Sequence, residues 1–284
     1  MKRLVVLFSL IFLVGLLRAA HVTAQTEELT PTVTTIEESV EETTVEKDIE
    51  DERQALKALY RDQIQSYQNS YRKFSLAKTQ FQNLATLASL EEAVLSTREV
   101  FSARNIVLIT YLDQLFLELT VNPSYDEEIR QEYLNKIKQL RAELVTFNQL
   151  VINSQDRQAL AERAVGFIPL GTELQSISVQ TRKLLFLGKF RSSAGMAQQL
   201  TQEIKASHEA NPVSALKQGE RQRAYQELTS ADAVVQTAWE KSVLQYQTEE
   251  DFSNQAYTAF IVTLSPLQSG LIRWYTLLEQ AAQL

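Results

Sequence analysis

Between Gly15 and Gly166 the chain has no glycine, and Pro123 is the only proline across residues 53–165. β-Hairpins and phosphate-binding loops depend on glycine at positive φ, whereas long helices do not. Apolar spacing agrees. Ile49, Leu56, Tyr60, Tyr67, Tyr71, Phe74, Phe81, Leu84 and Ala88 recur at intervals of three, four and seven. That pattern predicts one face of a helix of roughly 40 residues, ~60 Å long. The aromatic members of the stripe are expected in the core, with tyrosine hydroxyls at its rim.

The same reasoning carries along the rest of the chain. In "SLEE", Ser89 as cap and Glu92 three residues on predict the start of a second helix. Its stretch from Ile106 to Val121 is apolar around most of its circumference, as in a helix buried among others. Asp113 and Glu118 interrupt that stretch and argue against a membrane span. A third helix is predicted from Asp126 to Ser154, with extension to Val165. The segment "GFIPLGTE", with Gly166, Pro169 and Gly171, reads as the clearest break in the body. Further helices are predicted over 172–210, ended by Pro212, over 213–247, and from 250 to the end with a kink at Pro266. The expected fold is all-α: an elongated antiparallel bundle of about six long helices. A sub-boundary at 166–171 would divide it into two three-helix halves. "LASLEEAV" and "QYQTEEDF" echo each other faintly, which shared capping chemistry explains without a duplication.

The N-terminus has the three parts of an export signal. Lys2 and Arg3 precede an apolar run from Leu4 to Leu17, followed by Arg18 and "AAHVTAQ". Val22 and Ala24 fit cleavage after Ala24, giving a signal peptide over residues 1–24. As a helix the run spans only ~21 Å against a ~30 Å hydrocarbon core. The alternative is a retained run, residues 4–17 then anchoring a helical scaffold or sensor-like domain in the membrane.

Net charge is −7 over the chain, and its imbalance lies in one place. Residues 25–52 hold 11 acids against Lys47, while residues 53–284 have 24 basic and 24 acidic side chains. The Thr/Glu-rich segment 25–50 has too little apolar mass to offset the entropy of ordering and reads as a disordered acidic tether. The helical body follows over 51–284. With no cysteine, an exported body is held by packing alone.

Little in the body points to chemistry. The pairs Glu91/Glu92, Glu127/Glu128 and Glu249/Glu250 fall in or beside predicted first helical turns, where the backbone dipole favours negative charge. Adjacent helical residues also diverge rather than converge on a substrate. After cleavage the only histidine is His208, near a predicted helix C-terminus. Metal-binding spacings, phosphate-binding glycine loops and nucleophile elbows do not occur, so no enzyme, cofactor or metal is expected.

One charge feature stands out. Between Glu173 and Glu203 no acid occurs, while Arg182, Lys183, Lys189 and Arg191 interleave with Leu184, Leu185, Phe186, Leu187 and Phe190. These four cations are the candidate site for an anionic surface, set against a buried helix with snorkelling basic ends. The expected partners are an envelope protein, an anionic lipid surface, a wall polymer, or the acidic tail itself. Nucleic acid does not suit an exported protein with a neutral body. The sequence thus predicts an exported, non-enzymatic helical interaction module of the cell envelope.

Overall fold

The computed structural model describes residues 40–249 and 251–284. The export signal and residues 25–39 of the tether lie outside them. The protein is all-α, a bundle of helices, and all regular secondary structure among the described residues is helical. The elements are α1 (Val40–Leu84), α2 (Leu87–Val121), α3 (Glu127–Ile152), α4 (Arg157–Ala210), α5 (Ala215–Thr248), α6 (Asn254–Thr263) and α7 (Ser265–Ala282). Helix α1 begins at Val40, so the segment read as disordered to residue 50 is helical over its last part.

Helix starts follow short polar side chains more closely than the sequence reading placed them. Thr86, not Ser89, caps α2. The Thr86 amide donates to Ser89 Oγ at 3.1 Å, and the Ser89 amide donates to Thr86 Oγ1 at 3.2 Å. This is a capping box with serine in the place of the usual acid. Glu91 and Glu92 therefore fall beyond the first turn. With no glycine nearby, Ala85 makes the left-handed turn between α1 and α2 at φ 49°. Asp126, the expected start of the third helix, caps α3 by accepting from the Ile129 amide at 3.0 Å.

The expected break at 166–171 is absent. Asp156 accepts from the Ala159 amide at 2.8 Å and starts α4 there, so residues 157–165 belong to α4 and not to α3. Helix α4 then runs 54 residues through Pro169. An interior proline costs about 3 kcal/mol. Burial on both sides of it offsets that cost, with Leu160, Ala164, Phe167 and Leu174 all inside. The kink at Pro266 is present: α6 and α7 meet at Leu264, and Pro266 lies in the first turn of α7.

The chain divides into two compact units, with one crossing between Leu174 and Gln175 inside α4. Among the described residues, unit one takes those up to Leu117 together with Ile137–Leu174, and unit two takes Glu118–Lys136 with those from Gln175 to Leu284. In unit one Leu112, Ile137, Leu140, Leu144 and Val151 are fully buried. Asn105 and Asn148 meet within this core at 3.4 Å. The guanidinium of Arg104 lies 3.6 Å above the Phe167 ring, and burial lowers its pKa to about 10. The α1 stripe is core only in part. Tyr67 and Phe74 are buried, Tyr60 and Phe81 lie at the rim, and Tyr71 is exposed. Burial, with Tyr111 alongside, raises the Tyr60 hydroxyl to about 12.

Unit two packs Leu187, Val235, Phe260, Leu267 and Trp274 inside. The loop between α2 and α3 docks against two helices of this unit. Tyr125 stands edge-on to Trp239 and Tyr246, at 5.8 and 5.9 Å between ring centres. The loop's Pro123 carbonyl also lies so close to Gly188 of α4 that a Cβ there would come within 1.9 Å of it. Glycine is required at 188 for space, since no described glycine has positive φ.

Candidate functional site

The four cations singled out by sequence lie on α4 within unit two, and they do not share one surface. Successive helical residues turn by about 100°, so Arg182 and Lys189 share a face, Lys183 points inward from it, and Arg191 lies on the far side. Lys183 is fully buried. Its Nζ donates to Glu249 Oε2 at 3.1 Å and lies 5.2 Å from the Phe260 ring centre. A buried ammonium needs a paired carboxylate, and Glu249 supplies it. Lys183 is thereby removed from the anion-facing set. Glu249 is also the C-cap of α5 and does not lie in a helix first turn.

The other three reach the surface in different ways. Arg182 is half-buried, its guanidinium 4.2 Å over the Tyr257 ring and its Nε donating to the Ser178 carbonyl at 3.3 Å. Arg191 is exposed and lies 5.9 Å from the Trp239 ring centre. Lys189 is exposed.

The face shared by Arg182 and Lys189 carries more than charge. Phe186, Met196 and Leu200 fall on it at helical spacing, and they are 39%, 52% and 39% exposed. From Arg182 to Leu200 this row covers ~27 Å of helix. It joins two cations to three large apolar side chains in a stretch without an acid.

A second surface, in unit one, was not anticipated. Gln63, Ser66, Ser70 and Lys73 of α1 face Arg98, Glu99, Ser102, Ala103 and Ile106 of α2 across an open groove of about 430 Å³, with Ile152 at its side. A sequence signal for it exists. Residues 63–90 hold Arg72, Lys73 and Lys78 and no acid, a second acid-free stretch like that on α4.

His208 is engaged in structure. Its Nδ1 lies 2.7 Å from the Tyr225 hydroxyl, while Arg221 donates to the carbonyls of His208, Asn211 and Leu284. The first two satisfy carbonyls at the end of α4 and in the turn after it, and the third ties Leu284 to α5. Among the described residues, no three His, Asp or Glu side chains gather as a metal site. Helix α2 is the one helix among the described residues long and apolar enough to cross a membrane. Its Leu108, Leu112 and Leu115 are buried against protein. Comparison with protein-family models, with curated proteins and with solved structures finds no match.

Proposed function

We propose that the protein is an exported, non-enzymatic helical interaction module of the cell envelope, carried on its acidic N-terminal segment, and that it docks on an anionic lipid surface. The observation that carries this reading is the exposed row of Phe186, Lys189, Met196 and Leu200 on α4, with Arg182 at its upper end. Apolar side chains on one helix face gain by entering the headgroup region, while lysine and arginine stems reach up to the phosphates. The lack of any acid between Glu173 and Glu203 removes repulsion along that face. Export rests on the charged, apolar and small-residue parts of the first 24 residues.

Sedimentation with phosphatidylcholine vesicles, with and without phosphatidylglycerol, tests the proposal. Binding is expected only to the anionic vesicles. It fades as salt rises, because exposed charges are screened beyond ~8 Å at physiological ionic strength. The variant combining Phe186→Ser, Lys189→Gln and Leu200→Ser loses it. Equal binding by that variant overturns the assignment of the face. Retention on purified wall polymer without vesicle binding gives the face to the polymer instead. Mass spectrometry of the exported protein is expected to find Gln25 at its N-terminus. Membrane-bound chains that still carry residues 4–17 would establish the anchored alternative.

A further inference from the structure

We propose that the groove between α1 and α2 in unit one binds a small hydroxylated anion, a sugar acid or a sugar phosphate. The proposal stands independently of the α4 face. Gln63, Ser66, Ser70 and Lys73 repeat at intervals of three, four and three, which puts them on one face of α1. Arg98, Ser102 and Ile106 repeat every four residues on α2 and meet them from the other side. The volume, about 430 Å³, falls within the range of ~300–1,000 Å³ common to small-molecule sites.

The two cations of the groove are unspent. Among the described residues neither Lys73 nor Arg98 has a carboxylate within ion-pair distance. Arg98 makes only a long contact, 3.5 Å from Nη1 to the Ser154 carbonyl, which leaves the rest of its fork available.

Together these groups define the ligand. Two cations ask for a carboxylate or phosphate. Ser66, Ser70 and Ser102 can donate or accept, and Glu99 accepts from further hydroxyls. Ile106 and Ile152, 40% and 43% exposed, offer apolar contact to the C–H face of a ring. Inorganic phosphate would leave Glu99 and the apolar rim unmet, and a neutral sugar would leave the cations unmet.

Calorimetry on the full chain with glucuronate, glucose 6-phosphate, glucose and inorganic phosphate tests this. At least one of the two sugar anions is expected to bind, with glucose and phosphate about tenfold weaker or more. Preference for glucuronate assigns the site to a carboxylate, and preference for glucose 6-phosphate to a phosphate. Lys73→Gln and Arg98→Gln are each expected to weaken binding about tenfold while circular dichroism stays unchanged. Failure of both sugar anions to bind overturns the proposal. So does unchanged affinity in both cation variants, or phosphate binding as tightly as glucose 6-phosphate.

Discussion

Replacing Gly188 with alanine sets two known effects against each other at one position. In a helix interior the exchange alone stabilises by about 0.8–1.0 kcal/mol. At 188 the new methyl would lie 1.9 Å from the Pro123 carbonyl oxygen, 2.9 Å from its carbon and 3.2 Å from the Ser124 Cα. These are backbone atoms, so no rotamer change relieves the overlap. Reaching even a tight 3.0 Å contact requires the loop to retreat by 1.1 Å, the difference between the two distances. The loop is not free to retreat, because Tyr125 is wedged against Trp239 and Tyr246. Overpacking of this kind costs about 1–3 kcal/mol and sometimes more. A backbone overlap of this size belongs at the upper end of that range, so overlap wins and the net loss is about 2 kcal/mol. For a chain of this size that lowers the melting temperature by about 4–8 °C. Gly195 and Gly219 serve as controls, since a Cβ at either meets nothing within 4 Å. There the helix preference acts alone, and each alanine raises stability by about 0.5–1 kcal/mol. The assay is urea denaturation and thermal melting of the three single variants beside the parent. A Gly188→Ala protein as stable as the parent would refute the close approach of loop and helix.

Three further outcomes are expected. Ala85→Gly removes the penalty on a left-handed alanine and stabilises by roughly 1 kcal/mol in urea titrations. Glu249→Gln leaves the fully buried Lys183 without its hydrogen-bonded carboxylate and costs about 3–5 kcal/mol, whereas adding Lys183→Met recovers most of the loss. Burial first and Arg221 second lower the pKa of His208 below its ordinary 6.5. A base whose pKa falls on folding binds fewer protons folded than unfolded, so its contribution is complete above 6.5 and is lost as pH falls below it. Melting temperature measured through that window should show a smaller pH dependence in His208→Gln than in the parent.

The all-helical fold was legible because missing glycine and a 3.6-residue apolar rhythm are local and repeat over long segments. Helix starts were harder to read. Ser89 beside Glu92 looks like a better box than Thr86 beside Ser89, and the choice between them turns on where Ala85 reverses the chain. Proline at 169 marks a break by every local rule, yet the break lies at Asp156, because apolar burial along α4 outweighs one lost amide. The candidate site was legible in composition and not in direction. Lys183 and Lys189 are alike in sequence, but one meets Glu249, 66 residues away, and the other meets water. The groove of Gln63, Lys73 and Arg98 needs two helices in register, which no single stretch reveals.

The order in which the chain is made sets a timetable for unit two. Tyr125 leaves the ribosome about 120 residues before Tyr246, the later of its two ring partners. At ~5–20 residues per second that gap lasts roughly 6–24 s. During that time Leu119 and Leu134, buried in the finished protein, have no Gln175–Leu284 segment to cover them. Unit one meets the opposite schedule, since its last residue, Leu174, emerges 110 residues before Leu284, the last residue of unit two. The nascent protein therefore passes through a stage in which one core is complete and an apolar stretch of the other awaits its partners. At that stage a holding chaperone would have its purchase.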